Sequence, residues 1–267
     1  MASLPAGRCP FIKVAVPAAL VIAPMITAAW FPETAAPLLV RQAALCIWGV
    51  GATLAFERWL FSKTLQTAIR SVGFVPARRY ALAIAVLASV PMWLFLPLFA
   101  WLNSVPVELR TDWLSVTLGV VLVNGITEEV LHRAFVFGHL RRGRSFLRAA
   151  VLSASIFAAQ HGYLVASIGW TAGLASIVLA GLVTFPLVYV FERGGSSIGA
   201  PAILHTSSNA PVMILSTPAS FMTTALLPHM AVVLVCLYLV FAGRPFLMAD
   251  DERAETLTSD TSGPILV

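Results

Sequence analysis

Glu128 and Glu129 stand side by side in the run Asn124-Gly125-Ile126-Thr127-Glu128-Glu129-Val130-Leu131-His132-Arg133, midway along an otherwise apolar stretch from Trp113 to Leu140. Adjacent carboxylates beside a histidine and an arginine can take, hold and return protons, which is the equipment of general acid–base chemistry. Two further runs are of the same kind. Phe157-Ala158-Ala159-Gln160-His161 sets an aromatic ring and an imidazole on one helical face, and His205-Thr206-Ser207-Ser208-Asn209 does so for a histidine and an amide. In the first run the i,i+4 spacing lets Arg133 neutralise Glu129. Glu128, about 100° away around an α-helix, is left to point elsewhere. Acidic or basic residues at the centre of a bilayer-spanning helix cost roughly 2.5–3.5 kcal/mol each. Glu128, Glu129 and Arg133 together would cost about 7–10 kcal/mol if unpaired and facing lipid, so they mark a functional site by default.

The elements that must position these groups are membrane helices. Only 11% of residues are charged and 59% are hydrophobic, with mean hydropathy +0.88, against about 25% charged in soluble domains. The fold class is therefore all-α, a polytopic membrane bundle. Eight apolar runs suit a bilayer: 13–31, 36–56, 80–102, 113–140, 146–166, 171–191, 199–216 and 220–242. The seventh is short and polar, as only a helix enclosed by others tolerates. Helical rise places Glu128, His161, His205 and Asn209 in one buried layer near the bilayer centre. The first run is read as a retained helix rather than a signal peptide, although Thr27-Ala28-Ala29 offers a small-residue cleavage site.

Basic residues set the orientation. With the N-terminus inside, 14 of the 17 Lys and Arg residues fall on the cytoplasmic side; Arg110 is in an outer loop, and Arg41 and Arg133 lie within spans. The net charge of +5 is thus topological, and no nucleic-acid partner is expected. The expected location is the bacterial inner membrane, multi-pass, with both termini cytoplasmic. Between the second and third spans Phe61, Leu65, Ala68, Ile69 and Val72 recur at helical spacing opposite Arg58, Lys63, Gln66 and Arg70, with Gly73 as a stop. This predicts an amphipathic helix on the inner leaflet. Cys9, Cys46 and Cys236 form no disulfide or metal pattern. One transmembrane domain is expected over 1–249, with a polar, disordered tail over 250–267.

Taken together, Glu-Glu-x-x-x-Arg at 128–133, Phe-x-x-x-His at 157–161 and His-x-x-x-Asn at 205–209, in that order on three helices, resemble the CPBP family. These are the CAAX prenyl protease type II and bacteriocin-processing (Abi) intramembrane proteases. The resemblance covers a core of roughly 113–216, with Ser71-Val72-Gly73-Phe74 as a fainter echo. Ala134 departs from the glycine the family commonly has after the arginine. The resemblance implies that Glu128 activates a water with His161 holding it, and that His205 and Asn209 donate to the oxyanion of the tetrahedral intermediate. It assigns Glu129, Arg133 and Phe157 to the support of that set. The substrate it implies is a membrane-embedded or lipid-anchored peptide or protein, cleaved near its C-terminus or leader with the bilayer as the medium. His132, His139 and His229 fall outside the motifs and read as structural or interfacial.

Other readings of the same residues stay open. Glu128, His161 and His205 are also a His2Glu set of the kind that holds a catalytic zinc, although no His-Glu-x-x-His motif is present. The reading preferred here needs no cofactor. Glutamates and histidines within membranes also relay protons in transporters, and a non-catalytic membrane-binding protein could keep the scaffold.

Overall fold

The computed structural model describes residues 9–28 and 37–243. Among them six helices are long and apolar enough to cross a membrane: Leu38–Leu60 (α2), Arg79–Leu102 (α4), Trp113–Arg141 (α5), Phe146–Ile168, Trp170–Arg193 (α8) and Ser220–Ala242. Two shorter helices complete the bundle, α1 (Ile12–Ala28) and α9 (Gly199–Ile214). The last long span is α10 (Ala219–Leu239) ending in a tight turn over Val240–Gly243. Each expected span therefore has its helix. The expected enclosure of the seventh also holds, since α9 packs on α4, α5 and α8 and buries Ala200, Leu204, His205, Ser207 and Ala210. The tail from Asp250 and Ala29 of the small-residue site lie outside the described residues.

Three local features differ from the sequence reading, and all three shape the site. The first is the fifth span, expected as one helix over 146–166. It is α6 (Phe146–Gln160) and a short α7 (Tyr163–Ile168), separated at His161-Gly162. There the backbone tightens to i→i−3 bonds, His161 N–H to Ala158 O at 3.0 Å and Gly162 N–H to Ala159 O at 3.0 Å.

The second is α5, whose middle over Val121–Phe137 is a wide helix with i→i+5 hydrogen bonding. Such helices are mostly single turns at functional sites; this one runs 17 residues. A wider turn brings consecutive side chains closer in direction than the α-helical 100°. Neighbouring helices also come very near it. Gly125 allows that approach on one side, since a Cβ there would sit 2.5 Å from Thr206 Oγ1 of α9.

The third is the expected surface helix, which shrinks to α3 (Leu65–Ser71), capped by Thr64. Arg58 belongs to α2, and Phe61 stacks on His139 at 3.7 Å rather than meeting lipid. Ala68 and Val72 point into the protein; Leu65 and Ile69 stay exposed. Gly73 does stop the helix, at φ +86, a conformation that side chains with a Cβ rarely adopt. Its carbonyl accepts from Ile198 N–H at 3.2 Å, and Ser197 Oγ donates to Val75 O at 2.8 Å. These bonds anchor the start of α9 to the Ser71–Phe74 turn. Ala134 packs against the same spot, 3.3 Å from where a Gly73 Cβ would lie.

At the opposite end of the bundle a two-residue strand pair, Glu108–Leu109 (β1) with Leu215–Ser216 (β2), runs antiparallel with Glu108 opposite Ser216. It ties the α4–α5 connection to the α9–α10 connection.

Candidate active site

Arg133 lies on α5 four residues after Glu129 and donates from Nε to Glu129 Oε2 at 3.1 Å, with both side chains wholly buried. Its remaining nitrogens have no hydrogen-bond partner. The guanidinium carbon instead sits 4.6 Å from the centre of the Phe157 ring, a cation–π contact that strengthens where water is excluded. Phe157 is also edge-on to His132 at 4.7 Å, His161 at 4.8 Å and His205 at 5.9 Å. One ring thus locates a cation and three imidazoles from three helices.

His205 receives both glutamates. Its Nδ1 lies 2.7 Å from Glu129 Oε1, and its Nε2 lies 3.6 Å from Glu128 Oε2. The expected divergence of the two carboxylates is corrected here, because the wide helix swings both toward one imidazole. A carboxylate accepts, so Nδ1 carries a proton. Nε2 is then a donor in the imidazolium and an acceptor in the neutral ring. Glu128 Oε2 is buried and makes no hydrogen bond. Asn209 is half-buried one turn beyond His205 on α9, and Ser207 is held by Trp93 Nε1–H at 3.0 Å.

The direct partner that α6 supplies to Glu128 is a residue outside the expected set. Gln160 donates from Nε2 to Glu128 Oε1 at 3.2 Å, and His132 Nε2 lies 2.6 Å from Gln160 Oε1. His161, where the helix ends, turns its Nδ1 to Phe157 O at 2.8 Å and makes no direct hydrogen bond to Glu128. Because a carbonyl only accepts, that contact puts a proton on Nδ1, and in the neutral ring Nε2 is then the acceptor. His132, read from sequence as outside the motifs, therefore belongs to the site's hydrogen-bond chain. Gln160 was missed, although it is a polar residue inside the Phe157–His161 run. Among the described residues no group of three or more His, Cys, Asp or Glu side chains is gathered so as to hold a metal ion.

Glu128 and Gln160 face a cavity of about 890 Å³ whose wall includes Arg41, Asn124, Tyr163 and Met213. Its volume is in the range of small-molecule sites. Residues 110–211 match the family model described as type II CAAX prenyl endopeptidase Rce1-like. The resemblance read from the three motifs holds. The matched stretch begins beside β1 and ends within α9, so it contains Glu128, Glu129, Arg133, Phe157, Gln160, His161, His205 and Asn209. The Rce1-like match supports a protease, a CAAX-type intramembrane endopeptidase in general terms. No curated protein and no solved structure matches the chain.

Proposed function

We propose that the chain is an intramembrane endopeptidase that hydrolyses a peptide bond of a membrane-associated or lipid-anchored substrate with Glu128 as general base. The observation that carries this reading is Glu128 Oε2, a buried carboxylate oxygen without a hydrogen-bond donor, on a residue of the Rce1-like segment that lines the large cavity. Buried charged oxygens are almost always paired, and one left open beside a cavity is placed to accept a proton from an incoming molecule.

Glu128 takes a proton from a water as that water's oxygen bonds to the scissile carbonyl carbon. His161 Nε2 accepts the water's second hydrogen bond and orients it. The carbonyl π electrons move onto oxygen, and His205 Nε2–H and the Asn209 amide donate to the resulting oxyanion. Each such donor is worth about 2.7–4 kcal/mol in other hydrolases. The proton on Glu128 then passes to the leaving nitrogen, the C–N bond breaks, and a carboxylic acid and an amine leave. Glu129 and Arg133 hold the Nδ1 side of His205, and Gln160 fixes the unreactive oxygen of Glu128.

The direct test is peptide cleavage by purified protein and by its Glu128→Gln variant. Hydrolysis by the parent alone is expected; near-parental turnover by the variant would remove Glu128 from the role of base. Turnover is also expected to survive strong chelation. The zinc alternative, with Glu128, His161 and His205 as ligands, requires chelation to end activity and metal to restore it.

A further inference from the structure

The cavity reaches Glu128 from one end of the bundle only. Its wall is built from the last turns of α1 (Met25), the first turns of α2 (Leu38), the first half of α5 (Val116) and the end of α9 with β2 (Met213, Leu215). All of these are at the end where β1 pairs with β2. Toward the other end, α5 is sealed. Val130, Leu131, His132, Arg133, Phe135, Val136, Phe137 and Leu140 are each no more than 1% exposed. They pack among α1, α2, α6 and α8. A peptide cannot thread past these side chains to Glu128 without unpacking the core.

The sealed end is also the basic end. Lys63, Arg78 and Arg142 lie there in the connections between helices, and Arg58, Arg79 and Arg148 at the adjoining helix ends. Arg144 ties that end together by donating to Cys9 O at 2.8 Å, and Arg141 pairs with Glu192 at 2.8 Å. At the open end Arg110 pairs with Asp112 at 2.8 Å beside Glu108, and Arg41 stands in the cavity wall. Lys and Arg in short loops stay on the cytoplasmic side during insertion. The sealed end is thereby assigned to the cytoplasm and the open end to the far side.

We propose that the active site is served from the non-cytoplasmic face of the membrane, and that its substrate is an exported or membrane-anchored peptide whose scissile bond lies on that face. A tail held in the cytoplasm would meet the sealed end. The sidedness stands on packing and charge; that the molecule entering is a substrate rests on the proteolytic reading.

The test is thiol labelling of the full chain in intact cells with a membrane-impermeant maleimide, on a background lacking Cys9, Cys46 and Cys236. Met213→Cys reports the cavity wall, Leu109→Cys the open end and Ser145→Cys the basic end. Met213→Cys and Leu109→Cys are expected to label in intact cells, and Ser145→Cys only after permeabilisation. Labelling of Ser145→Cys in intact cells, or failure of Met213→Cys to label until permeabilisation, overturns the proposal. An epitope inserted between Ser104 and Val105 of the cysteine-containing chain gives an independent reading. Antibody binding to unpermeabilised spheroplasts supports the proposal, and binding only after lysis overturns it. Neither readout needs turnover. The expected labelling in a protein that cleaves no peptide would retain the sidedness and sink the protease reading instead.

Discussion

Among the described residues, buried carboxylates meet histidines at two places in this bundle, and the two are opposites. At the basic end Glu57 of α2 meets His139 Nε2 at 2.5 Å, accepts from Ser62 Oγ at 2.7 Å, and has the His139 ring stacked on Phe61. Both oxygens of that carboxylate are occupied, and Glu57 is not in the wall of the cavity that Glu128 faces. Within the bundle Glu128 and Glu129 share His205, yet Glu128 Oε2 has no hydrogen-bond donor and its residue lines the cavity. Burial and an imidazole are common to both. What separates a site built for reaction from one built for cohesion is an unfilled lone pair with room in front of it.

Glu128→Gln should lower peptide turnover by about 10³-fold or more, within the range of a lost general base, while the thermal midpoint in detergent stays near the parent's. Glu57→Ala should do the reverse. Removing one partner of a buried pair costs about 3–5 kcal/mol, so melting should fall steeply while turnover per folded molecule is kept. If Glu57→Ala abolished turnover in folded protein, the contrast between the two pairs would collapse.

His205→Asn tests the shared imidazole. A shorter amide keeps at most one donor, and a loss of about 10²–10³ in kcat is expected, the scale of one oxyanion donor, with KM little changed. A large rise in KM at constant kcat would place His205 in substrate binding. The smallest effect is expected from Gln160→Leu, which removes one hydrogen bond to a charged group, worth about 1.5–3 kcal/mol. Turnover should fall roughly tenfold to a hundredfold, with Gln160→Asn partly restoring it. No loss in Gln160→Leu would show that Glu128 needs no bond on its other oxygen.

Much of this was legible because membrane helices announce themselves by length and apolar content, and because charges inside them are conspicuous. Glu129 with Arg133 follows from i,i+4 spacing, and the enclosure of α9 from its polarity. The details that escaped depend on backbone departures from the ideal helix. The i→i+5 bonding of 121–137 has no periodic signature in the side chains, so the meeting of both glutamates on His205 was invisible. The end of α6 at Gln160 turns His161 Nδ1 back to Phe157 O and leaves Gln160 as the direct partner of Glu128. Glu57 was hidden by lying at the edge of an apolar run, where a charge ordinarily meets water rather than a histidine 82 residues away.

The wide helix also makes this stretch sensitive to length. With i→i+5 bonding over Val121–Phe137, losing or gaining one residue there would re-pair the few carbonyls whose bonds span the change and shift everything beyond it by one position. It would also rotate Glu128, Glu129, His132 and Arg133 relative to α6 and α9. Conservative substitutions at its half-buried positions, Val121, Leu122, Val123 and Ile126, can be absorbed one at a time, whereas a single-codon deletion upstream of Glu128 would misalign the whole set together. In a library of random variants, this segment should accept spelling changes and reject changes of count.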